Sequence, residues 1–87
     1  MEIKFYADPA HGWGEVPVSL IKELGIGDKI SHCSYMKGDM AYLEEDCDLS
    51  VFLRALESRG MGYPKFVEIH TNNDSPVRKY QSFKISN

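Results

Sequence analysis

Between Leu49 and Leu56 the apolar residues Leu49, Phe52, Leu53 and Leu56 fall at i, i+3, i+4 and i+7, the spacing of one helix face. Ile3, Phe5 and Ala7 instead alternate with Glu2, Lys4 and Tyr6, the period of a half-buried strand. A chain that carries both periods in short segments must layer helices on a sheet. It has 87 residues in which to do so, too few for two cores, so residues 1–87 are read as a single domain.

The remaining segments fill in an order. Asp8-Pro9 ends the first strand, and the stretch Asp8 to Gly14, with one proline and two glycines, reads as a loop carrying the only tryptophan. Pro17 suits a helix start, Val18, Ile21 and Leu24 recur at helical spacing, and Gly25-Ile26 reads as a left-handed C-cap. Ile30–Tyr35 and Met40–Glu45 flank a turn at Gly38, the clearest hairpin signal in the chain. Asp46 or Asp48 is placed to cap the helix that follows, and Gly60 to stop it. Lys65–His70 reads as a strand with Val67 and Ile69 on one face. Residues 75–87 form either a short helical turn capped by Ser75 or an extra strand. Strand, helix, strand, strand, helix, strand predicts an α+β fold of ferredoxin-like βαββαβ type. Such a plait has four antiparallel strands, both helices on one face, and here a shared interior around Phe5, Ile21, Leu53 and Val67.

Composition narrows function mainly by exclusion. Ten basic against 13 acidic residues give a formal charge of −3, a poor match to general nucleic-acid binding. No apolar run approaches the roughly 20 residues of a membrane span, and Met1-Glu2-Ile3-Lys4 has no signal-peptide pattern, so a cytoplasmic protein is expected. Cys33 and Cys47 make no disulfide framework and stand at no metal-ligand spacing; reduced thiols, with no metal and no cofactor, are expected.

Three stretches hold chemistry. Glu44, Glu45, Asp46 and Asp48 form a single-sign run that serves to cap a helix or to offer an acidic rim to a basic protein surface, with Trp13 or Tyr35 as anchor. His11 and Trp13 put an imidazole and an indole just after a strand, where binding residues collect. Arg78 and Tyr80 add a guanidinium and a phenol; were all four to converge, they would hold a small ligand or nucleotide. His32 and His70 read as ordinary strand residues. No nucleophile stands in a catalytic motif, which weighs against an enzyme; a version using His11 with Cys47 or a carboxylate requires contact between them.

The stretches Asp8-Pro9-Ala10-His11-Gly12-Trp13, Ser34 to Asp48 and Ser75 to Tyr80 together resemble small proteins of unassigned function encoded by bacteriophages, prophages and conjugative elements. The resemblance implies a bacterial host cytoplasm and no catalytic residue or cofactor. By class it is similar to the small acidic inhibitors that phages aim at host defence, anti-CRISPR proteins among them. The expected function is therefore a non-enzymatic interaction protein acting through its acidic surface, with the small-ligand or nucleotide module as the alternative.

Overall fold

A computed structural model describes residues 1–85; Ser86 and Asn87, the end of the tail, lie outside the described residues. The fold is α+β. Among the described residues six strands, β1 (Glu2–Ala7), β2 (Gly12–Pro17), β3 (Tyr35–Lys37), β4 (Met40–Glu44), β5 (Lys65–His70) and β6 (Gln81–Ser82), form one sheet with two helices, α1 (Val18–Glu23) and α2 (Leu49–Ser58). The sheet order is β5-β1-β2-β4-β3-β6, parallel between β1 and β5 and antiparallel elsewhere.

This departs from the four-stranded plait in its count, order and mixed pairing, and the chief cause lies at Gly12 to Gly14. Those residues are not loop but the start of β2, paired with both β1 and β4. A Cβ on Gly12 would stand 2.3 Å from the Phe5 ring, and one on Gly14 would stand 2.9 Å from Leu49. The two glycines are thus demanded by close packing on the helix-bearing face, while Trp13 between them points to the other. The tail contributes the sixth strand: Ser75 Oγ accepts from the Val77 N–H at 3.3 Å to start a 3-10 turn (Pro76–Lys79), and β6 then pairs with β3.

Other local expectations hold. Lys37 pairs with Met40 around Gly38, whose φ of 58° suits the first central position of a two-residue hairpin turn. Gly25 ends α1 with its N–H donating to the Lys22 carbonyl and the Ile26 N–H to the Ile21 carbonyl, the paired bonds of a Schellman motif. Strand β3 is shorter than Ile30–Tyr35 and starts only at Tyr35, so His32 lies in a turn and not in a strand.

Paired residues share a face, which sorts the core into two layers. On one face Ile3, Val16, Ala41 and Leu43 pack beneath Ile21 and Leu24 of α1 and Leu49, Phe52 and Leu56 of α2, joined by Phe83 from the tail. Phe5 and Leu53 are half-buried at its margin. Val67 does not join it: β5 is an edge strand whose core-facing residue is Phe66, so Val67 and Ile69 sit on the opposite face, each 40% exposed. On that face Trp13, Tyr42 and Val77 form a second, smaller cluster with Tyr6, Tyr35, Met40 and Tyr80. Among the described residues no helix is long and apolar enough to cross a membrane.

Candidate functional site

The turn from β1 to β2 is built by Asp8. Its Oδ1 accepts the N–H groups of Ala10 and His11 at 3.0 and 2.9 Å, while its backbone N–H donates to the His11 carbonyl. The same buried carboxylate takes the Ser75 N–H at 2.9 Å and a two-point contact from Arg78, Nε at 2.6 Å and Nη2 at 3.1 Å. Arg78 and these N–H donors hold the Asp8 carboxyl well below the usual carboxylate range. Residues 67 and 70 positions apart are thereby locked together, and the guanidinium comes to rest 5.2 Å from the centre of the Trp13 ring.

A second polar assembly faces this one. Glu44 is only 5% exposed, and its Oε1 accepts the N–H groups of Asp46 and Cys47 at 2.8 and 2.9 Å, shaping the turn after β4. Its Oε2 stands 3.1 Å from His11 Nδ1. Ser34, fully buried, receives the Glu44 N–H on Oγ at 3.0 Å and donates that hydroxyl to Asp48. Asp48, 2% exposed, also accepts the backbone and side-chain donors of Ser31. Asp48 therefore occupies the N-cap position of α2 without capping it, because its carboxylate is turned into this network. Cys33 and Cys47 are free and exposed, and the Cys47 thiol meets both the Cys33 thiol and the Glu44 carboxylate, which push its pKa up to about 12.

Between the assemblies lies a hollow of about 280 Å³ walled by His11, Trp13, Tyr35, Arg78, the acids Glu44 and Asp46, and both cysteines. His11, Glu44 and Asp46 bring ligand-type atoms within 4.8 Å of one another. Trp13 is 2% exposed, and its indole N–H has no acceptor among the described residues. Leaving such a donor buried and unpaired costs about 1–3 kcal/mol.

Placed against the sequence expectations, the acidic run is divided. Glu44 and Asp48 turn inward as acceptors, leaving Glu45 and Asp46 on the surface, so the four do not form one acidic face. Trp13 is covered and offers no protruding anchor, while Tyr35 is half-buried at the rim. His11, Trp13 and Arg78 do converge. Tyr80 stays outside the hollow, packed edge-on to Tyr42 at 5.0 Å with Lys37 Nζ 4.8 Å from its ring centre. Contact of His11 with a carboxylate is met at Glu44. Sequence reasoning missed Asp8 as the organiser, although Asp-Pro followed by two residues is an Asx-turn signature. It also missed Ser34 and the approach of both cysteines. Compared with protein-family models, curated proteins and solved structures, the chain matches none.

Proposed function

We propose that the protein is a small binding module whose ligand seats in the hollow walled by His11, Trp13, Tyr35 and Arg78. The observation that carries this is the Trp13 indole N–H, buried without an acceptor in the wall of a hollow where these side chains meet. A bound molecule that displaces the side chains sealing this N–H and offers it an acceptor atom removes that cost, which gives binding a source of free energy that packing alone does not. Charge then selects among ligands. The guanidinium is matched by Asp8, whereas Glu44 and Asp46 have no Lys or Arg partner among the described residues. The walls are net negative, which weighs against a nucleotide phosphate and favours a neutral or cationic ligand.

Thermal shift of the full chain with a panel of nucleotides, neutral polar molecules and divalent cations tests this. A rise of several degrees with a neutral or cationic compound, lost in Trp13→Phe, is expected. No rise with any compound, or a rise with nucleotides that survives Trp13→Phe, removes the reading. The interaction-protein alternative, with the mobile-element setting it implies, keeps one favouring observation: Glu45 and Asp46 remain exposed, close enough with Glu68 that burial and these neighbouring acids raise the Glu45 pKa. A double change of Glu45 and Asp46 to Lys that leaves capture of a basic partner protein intact ends it.

A further inference from the structure

We infer that the hollow is a site for one divalent transition ion of the zinc class, taken by His11, Glu44 and Asp46 and completed by the Cys47 thiol. This rests on the hollow being the binding site and names its ligand.

Donor chemistry is the first support. An imidazole, two carboxylates and a thiol are a set that selects zinc-class ions over calcium or magnesium, which take oxygen ligands. Geometry is the second. Around a tetrahedral zinc with bonds of roughly 2.0–2.3 Å, ligand atoms stand about 3.3–3.8 Å apart. His11 Nδ1 and Glu44 Oε2 already stand 3.1 Å apart, and the widest separation in the triad, within 4.8 Å, needs a contraction of about 1 Å. Asp46 can supply that movement, because its side chain is exposed and accepts no hydrogen bond among the described residues.

Support from the surroundings is the third. Glu44 is oriented as a ligating carboxylate should be: Oε1 is fixed by two backbone N–H groups, and Oε2 faces the hollow's imidazole. The negative charge of Glu44 and Asp46 is left for a cation, since the nearest guanidinium is engaged by Asp8. Independently of these acids, the Trp13 ring lines the same hollow, and its buried indole N–H has no acceptor among the described residues.

The experiment uses the reduced, metal-free full chain titrated with zinc chloride in competition with a chromophoric chelator, and with cobalt chloride read by its visible bands. One equivalent is expected to bind, with cobalt bands of tetrahedral intensity and a thiolate charge-transfer band that disappears in Cys47→Ser. His11→Ala and Asp46→Asn are each expected to weaken zinc at least about tenfold. Asp46→Asn, at an exposed position, keeps the comparison valid should the histidine variant fold poorly. Absence of stoichiometric zinc binding overturns the inference, as does stoichiometric binding that survives both substitutions. Should zinc fail while a neutral compound binds and requires Trp13, the ion is wrong and the binding hollow stands.

Discussion

Asp8 does at the scale of one residue what the sheet does at the scale of the chain. Four backbone or guanidinium partners, two local and two from the tail, converge on a single buried carboxylate. Removing its charge leaves Arg78 unmatched beside the Trp13 ring and releases the tail, so Asp8→Asn is expected to lower Tm by roughly 5–15 °C near neutral pH. The pH dependence has a definite sign. Because the folded carboxyl titrates well below its ordinary value, its contribution is complete above the unfolded pKa of about 3.9 and is lost as pH falls further. The gap in Tm between wild type and Asp8→Asn should thus be full at pH 6 and narrow steadily below about pH 4. An equal gap at both pH values removes Asp8 from this role. The site's other residues were hidden from sequence by distance along the chain: His11 lies 33 positions from Glu44, so no local spacing announces a shared cluster.

At the scale of elements, the segments legible in sequence were those whose signal is local. The α2 stripe, the Gly38 turn and the Gly25 cap each depend on residues within one or two turns, and each forms where expected, although the strand leading into the turn is shifted toward it. Strand β2 and the facing of β5 were not legible, for opposite reasons. In β2, glycines that normally break structure are required by neighbours 7 and 35 positions away, Phe5 and Leu49. In β5, Val67 and Ile69 alternate as a buried pair would, yet the other face, carrying Phe66, meets the core. Alternation gives a period without saying which phase is covered. Gly12→Ala tests the account of β2: with the Phe5 ring 2.3 Å from the new methyl and a Glu45 oxygen at 2.7 Å, a loss of about 1–3 kcal/mol is expected in chemical denaturation. A loop residue free to shift would show almost none.

For the molecule as a whole, the tail is a fastening across both layers. Val77 closes the small aromatic cluster on one face and Phe83 enters the main core on the other, with the Phe83 N–H donating to the Ser34 carbonyl at 2.8 Å between them. A chain ending at Asp74 is expected to lose its cooperative melting transition and to bind a hydrophobic dye, since it uncovers Trp13 and Tyr42 and removes Phe83 from the main core. A sharp transition at unchanged temperature in that shorter chain contradicts this. The Asp8–Arg78 clasp also sets an order of events. Its two halves leave the ribosome 70 positions apart, and loop closure of that length is repaid only when the later half is present. A growing chain can therefore close its first hairpin on the local Asp8 bonds alone, but its binding hollow comes into being only once the segment carrying Arg78 has been added.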